Sequence, residues 1–250
     1  MTALLETRHL NRMFGALQAT TDVSFRLERG ARHALIGPNG AGKTTFINLL
    51  TGVLSPTSGE ILLDGKAITG MKREARVQRG LVRTFQINQL FGGLTVIESL
   101  ALVVAERRGE GWNPFRSIGR ARGIDTEIAD LLRGFGLESV AGETCSDLPY
   151  GKQRLLEIAL AIALKPRVLL LDEPAAGVPE ADRQEVLSRL AALPSDVAIL
   201  LIEHDMDLVF TFANRISVLV SGGLFAEGTV DEIAHDPRVK DVYLGGGQHG

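Results

Sequence analysis

Ala34-Leu-Ile-Gly37-Pro-Asn-Gly40-Ala-Gly42-Lys43-Thr44-Thr45, followed by Phe46-Ile-Asn-Leu-Leu50, decides the fold. A short apolar run of this kind reads as a strand buried on both faces. The turn after it fits G-x-x-x-x-G-K-[ST], and an apolar helix follows, which is the context a phosphate-binding loop requires. Gly37, Gly40 and Gly42 let the backbone turn tightly enough for successive N–H groups to point inward, with Pro38, Asn39 and Ala41 completing the loop. The helix beginning near Lys43, Thr44 and Thr45 adds the positive end of its dipole to the same concavity. A polyphosphate fits such a cradle. Lys43 would reach the β and γ phosphates as a point charge, while the Thr44 hydroxyl would ligate the Mg²⁺ that bridges them.

Two further segments share the strand pattern. Val168-Leu-Leu-Leu-Asp172-Glu173-Pro174 places Asp172 at the end of a buried strand, where it can hold Mg²⁺ through water. Glu173 lies one residue nearer the γ phosphate and can orient and activate a water. Val197 to Ile202 is the third apolar run. Strands alternating with helices predict a mainly parallel sheet whose ligands sit beyond the carboxyl ends of the strands. Val23, Phe25 and Leu27, and again Ile61 and Leu63, alternate with other residues and predict an antiparallel sheet near the N-terminus. Between about Gln86 and Lys165 the strand signals vanish and helical patterns appear at Val96 to Arg107, Glu127 to Phe135 and Arg154 to Leu164. Beyond Asn214, residues 215–220 and 224–227 flank Gly222-Gly223 as a hairpin, and two short helices follow as far as Leu244. The expected fold is therefore α/β: a P-loop core with a mainly parallel sheet, an N-terminal antiparallel β subdomain and an inserted helical subdomain. One domain spans 1–250, with 1–88 and 165–250 as core and 89–164 as the helical insertion.

With both motifs in order, the chain resembles the nucleotide-binding subunit of ATP-binding cassette (ABC) transporters along essentially its whole length. The resemblance implies roles that spacing alone does not. Gln86 in Arg83-Thr-Phe-Gln86 stands at the family's Q-loop, which contacts Mg²⁺ and the attacking water. Leu148-Pro-Tyr150-Gly151-Lys152-Gln-Arg154 stands where the family has its Leu-Ser-Gly-Gly-Gln signature, and Ala175 to Glu180 matches the D-loop region. His204, after Leu200-Leu-Ile-Glu203, matches the switch histidine, a hydrogen-bonding group near neutral pH at the γ phosphate. Phe14, in Arg12-Met-Phe-Gly15, takes the place of the ring that stacks on adenine. The implied assembly is a pair of ATPase subunits, identical or different, that sandwich two ATP molecules with Mg²⁺. The pair docks on separate transmembrane permease subunits at the cytoplasmic face of the inner membrane and is served indirectly by a solute-binding protein.

The signature departs from the family pattern because Pro149 replaces the serine, and a lost hydrogen bond to a charged group is worth about 1.5 to 3 kcal/mol. The helix N-terminus at Tyr150 and Gly151 remains, and Lys152 adds a cation, so anion binding there is still expected. Pro179 also stands where the D-loop usually has Asp or Asn. Together with Pro174-Ala-Ala-Gly177, Ile202-Glu-His-Asp-Met206 and the Asp236-Pro tail ending in Tyr243-Leu-Gly245, these departures resemble the ATPases of branched-chain amino-acid uptake. Relatives that import urea or amides, or that export lipopolysaccharide, share part of the pattern.

Composition bounds the alternatives. Twenty-seven Lys and Arg against 30 Asp and Glu leave a formal charge of −3, too little positive excess for bulk nucleic-acid binding. Cys145 is the single cysteine, so no intrachain disulfide forms. The start MTALLETRHL lacks a signal-peptide core, and the apolar runs fall short of the roughly 18 residues a spanning helix needs. Two rivals are a soluble ABC ATPase acting on DNA, ribosomes or iron–sulphur assembly, and a P-loop kinase. The first usually brings two cassettes, a coiled coil or a basic surface, and the second needs an acceptor pocket in place of the signature. Arg107, Arg108, Arg116, Arg120 and Arg122 form a basic stretch, either a solvated loop or a surface for anionic headgroups.

Overall fold

The computed structural model describes residues 3–84, 91–110 and 123–245. The described residues form two compact units, one within 1–82, 167–173 and 194–250, the other within 83–166 and 174–193. The second unit thus takes in residues 174–193, which lie outside the 89–164 insertion expected from sequence.

The first unit carries two sheets. In one, β1 (Ala3–Phe14) lies between β2 (Leu17–Val23) and β5 (Ser58–Leu63), β6 (Lys66–Ala67) extends the path, and β3 (Arg26–Glu28) pairs with β1, all antiparallel. The second sheet runs β11-β10-β4-β9-β8-β7, where β4 is Arg32–Ile36, β7 Leu81–Arg83, β8 Val168–Asp172, β9 Ala198–Ile202, β10 Arg215–Val220 and β11 Gly223–Thr229. Strands β10, β4, β9 and β8 are parallel neighbours, and β11 closes the edge antiparallel as the expected hairpin.

Residue alternation in this sheet shows why the apolar runs are continuous. Leu35, Leu200 and Ile202 join one core with α1 (Lys43–Thr51) and the antiparallel sheet, while Ala34, Ile36, Ile216 and Val218 join a second core with α7 (Met206–Phe212), α8 (Val230–His235) and α9 (Pro237–Gly245). Both faces are covered, so the strands are mainly apolar, and the buried polar side chains His33 and Ser217 pair with each other at 2.8 Å. Phe46, Ile47, Leu49 and Leu50 anchor α1 in the first core. The C-terminal end of α1 is held by Arg76 on α2 (Arg73–Gln78), a nearly fully buried guanidinium that donates to the carbonyls of Leu49 at 2.7 Å, Leu50 at 2.6 Å, Thr69 at 2.8 Å and Met71 at 3.0 Å. A cation at that terminus satisfies orphan carbonyls and complements the helix dipole.

In the second unit, α3 (Val96–Arg107) opens with a capping box of Thr95 and Glu98, and it packs with α4 (Ile124–Phe135) and α5 (Tyr150–Ala163). Helix α6 (Glu180–Ala191) completes the unit. Arg107 donates to both oxygens of Glu127, at 2.7 and 2.8 Å, and to the Ala163 carbonyl, while Arg108 reaches the same carboxylate at 2.7 Å. These two arginines, read from sequence as part of a basic stretch that is either a solvated loop or a surface for anionic headgroups, are internal ties of the helical unit; Arg116, Arg120 and Arg122 lie outside the described residues. Arg107 first, with Arg108 and Lys165, holds the Glu127 carboxyl at about 2 against the opposing effect of burial. A depressed folded-state pKa contributes stability that is present above pH 4.5 and lost as pH falls through 2. Glu127→Gln is therefore expected to destabilise the protein at pH 7 by roughly 1–3 kcal/mol after allowance for screening. The gap to wild type should narrow as pH falls below 4.5, and parallel stability curves across that window would refute the linkage.

Candidate functional site

Strand β4 ends at Ile36 and releases the chain into a loop with no room for side chains at two glycines. A Cβ on Gly37, whose φ is +155°, would lie 2.2 Å from the Leu219 carbonyl oxygen, and one on Gly42, at φ +96°, would lie 2.6 Å from that of Ala19. The loop is closed by the Ala41 amide donating to Pro38 at 3.2 Å, and the helix opens with Phe46 N–H donating to Gly42 at 2.9 Å. Helix α1 has neither a capping side-chain bond nor an acidic residue in its first turn. Its N-terminus is thus left to an external anion. Asn39 and Gly40 are exposed, Thr44 is exposed on the first turn, and Thr45 is half-buried.

The Lys43 ammonium donates to the carbonyls of Gly37 at 2.5 Å and Pro38 at 3.1 Å. Partial burial lowers its pKa, and the carboxylates of Glu173 and Asp172 oppose that shift. The end of β8 therefore faces the loop, as the parallel order β4-β9-β8 requires. Asp172 is the last residue of β8 and half-buried. Glu173 has φ +47°, its N–H donates to Ile202 at 2.9 Å, and its carboxylate is 3.5 Å from His204 Nδ1. A left-handed conformation costs a non-glycine residue roughly 1–2 kcal/mol, and such strain clusters at functional positions. His204 lies just past β9. Glu203, 1% exposed, accepts from the amides of His204 at 3.1 Å and Asp205 at 3.4 Å and so shapes the turn that presents the imidazole. Phe14 is 42% exposed near the β1–β2 turn with the Arg12 guanidinium 4.5 Å over its ring.

In the other unit, Pro149 is the N-cap of α5 and no side chain caps it. The Tyr150 hydroxyl donates to the Ala176 carbonyl at 3.1 Å, and a Cβ on Gly151 would stand 2.7 Å from that of Asp182. Lys152 Nζ donates to Glu185 at 2.8 and 3.0 Å and to the Gly136 carbonyl at 3.0 Å. The cation expected to reinforce an anion site is instead paired with a carboxylate of α6.

Residues 20–176 match the family model for ABC transporters, and 224–249 match that for branched-chain amino acid ATP-binding cassette transporters. The chain belongs to the ABC transporter ATPase family. It is 39% identical to the high-affinity branched-chain amino acid transport ATP-binding protein BraF of Pseudomonas aeruginosa, over 97% of this chain and 98% of the relative. Identity to LivG of Escherichia coli K12, which carries the same description, is also 39% over 97% and 98%. Among solved structures, a nucleotide-free ATP-binding cassette from an ABC transporter superposes with TM-score 0.83 at 27% identity, over 97% of this chain and 99% of that one. The ADP conformation of the ATP-binding cassette MJ1267 of an ABC transporter gives 0.82 at 28%, over 98% and 100%.

Within this ABC ATPase, Lys43, Asp172, Glu173 and His204 gather at the strand ends of the first unit; Tyr150, Gly151 and Lys152 gather with 174–185 in the second. Gln86 lies outside the described residues. The donors around the loop suit Mg²⁺. Thr44 and Asp172 would offer it oxygen, the donor type that Mg²⁺ prefers. No described helix is long and apolar enough to cross a membrane.

Two features escaped the reading of the sequence. Glu203 could have been suspected, because a carboxylate directly after a five-residue buried strand must find donors. Helix α5 buries not only apolar Leu155, Ile158 and Ala159 but also Arg154 and Glu157, joined at 2.5 Å. Their i, i+3 spacing was visible, but charged pairs at that spacing usually face solvent.

Proposed function

We propose that this chain is the ATP-hydrolysing subunit of a transporter that imports branched-chain amino acids, working as one of a pair of such subunits on separate permease proteins at the cytoplasmic membrane face. The supporting observation is the combination of a phosphate loop facing Asp172 and Glu173 with a C-terminal segment, 224–249, of the branched-chain type. In this reading the loop amides from Gly37 to Thr45 and the Lys43 ammonium bind the phosphates of ATP, and Phe14 stacks on adenine. Thr44, Asp172 and Gln86 would hold Mg²⁺, which when bound supplies neutralisation of charge on the β and γ phosphates. Glu173 takes the proton of the attacking water and His204 donates to the γ phosphate. Tyr150 and Gly151 of the partner copy cover the nucleotide, so ATP favours the closed pair by binding it more tightly than the open one.

The test is co-expression with candidate permease, second ATPase and receptor subunits, purification, and reconstitution in vesicles. ATP-dependent leucine, isoleucine or valine uptake is expected. A complex that moves only urea, amides or lipid, or an ATPase that never co-purifies with membrane proteins, would overturn the assignment of substrate or of transport.

A further inference from the structure

Glu173 is held in a strained backbone conformation, and such conformations persist only where neighbouring structure enforces them. Upstream the enforcement is visible: Glu173 N–H donates to Ile202, and β8 precedes it in register with β9. Downstream, the next four residues belong to the compact unit of α5. There two side chains from successive turns of that helix reach the chain. Arg154 Nε donates to the Pro174 carbonyl at 2.9 Å, and the Tyr150 hydroxyl donates to the Ala176 carbonyl at 3.1 Å. Positions four apart share one helix face, so both bonds come from the same side of α5.

The clamp is built with care at each end. Arg154 is 7% exposed, and its guanidinium is oriented by Glu157, fully buried and 2.5 Å away. Under Tyr150, Gly177 takes φ +71°, and a Cβ there would lie 2.9 Å from the phenol oxygen and 3.2 Å from Cζ. The ring therefore lies where only glycine leaves space. We propose that Tyr150 and Arg154 are positioning residues for Glu173: by fixing the carbonyls of Pro174 and Ala176 they keep the preceding residue in the left-handed conformation that aims its carboxylate. The inference rests on the reading of Glu173 as the general base. It gives the tyrosine of the atypical signature a use beyond nucleotide contact, since a glycine at 150 could not reach Ala176.

The experiment compares Arg154→Lys, which keeps a cation beside Glu157 but lacks the Nε donor, and Tyr150→Phe, which keeps the ring and loses the hydroxyl. Both are made in the full chain, with and without Glu173→Gln. A misplaced base is expected to lower kcat roughly tenfold to hundredfold in both variants, and in Arg154→Lys, which has no part in covering the nucleotide, KM for ATP and affinity for a fluorescent ATP analogue should be unchanged. In single turnovers on the Glu173→Gln background the same substitutions should cost nothing more, because the group they position is gone. Full kcat in both variants, or an equal loss persisting without Glu173, overturns the proposal. Tyr150→Phe carries the test alone if Arg154→Lys does not fold. Undiminished turnover in Glu173→Gln by itself refutes the base, a result distinct from failure of the clamp.

Discussion

Glu173→Gln is expected to lower steady-state ATP turnover by about 10² to 10⁴ while ATP still binds, leaving a stable ATP-bound pair of subunits. The glutamine keeps the length and planarity of the side chain but offers no basic oxygen to the attacking water. Its backbone can take the same φ of +47°, secured by the Ile202 bond that does not involve the side chain. Phosphate release measured beside size-exclusion chromatography with and without Mg-ATP separates the two effects. A variant that hydrolyses ATP at the wild-type rate, or one that neither binds ATP nor pairs, would remove Glu173 from the role of base.

Lys43→Met should weaken ATP binding by roughly tenfold to 150-fold, since a hydrogen bond to a charged group is worth about 1.5–3 kcal/mol. The loss has two sources in the structure. The ammonium donates to the Gly37 and Pro38 carbonyls and so stiffens the loop, and it is the cation that faces the carboxylates of Glu173 and Asp172. Without it, both carboxylates meet the incoming phosphates with less compensation, although Mg²⁺ added at high concentration should recover part of the affinity. Titration of a fluorescent ATP analogue at several Mg²⁺ concentrations checks this. An affinity equal to wild type would mean that Lys43 does not touch the phosphates.

Much of the site could be read along the chain because its parts are local. A strand, a glycine loop and a helix occupy residues 34–50 without interruption, and Asp172 and Glu173 terminate an apolar run whose burial on both faces is written in its composition. Helix α3 begins and ends at the residues its pattern indicates, because a capping box marks its start. Strand β1 was harder to see. Register shifts along its pairings with β2, β3 and β5 break the period of two that would have announced it. Helix α2 has six residues, and its purpose, carrying Arg76 to the end of α1, involves partners 26 and 27 positions away.

By itself, then, the order of residues determined that a glycine loop opening onto a helix N-terminus lies at the head of a buried crossover and that two carboxylates stand at the end of a parallel strand, since both follow from short-range backbone chemistry. Only the folded chain decided what the side chains of α5 do. Lys152 turns to Glu185, Arg154 to Glu157 and Pro174, and Tyr150 to Ala176. Such partners are chosen by packing between segments far apart in sequence, where a buried charge must take whichever donor or acceptor the fold brings within reach.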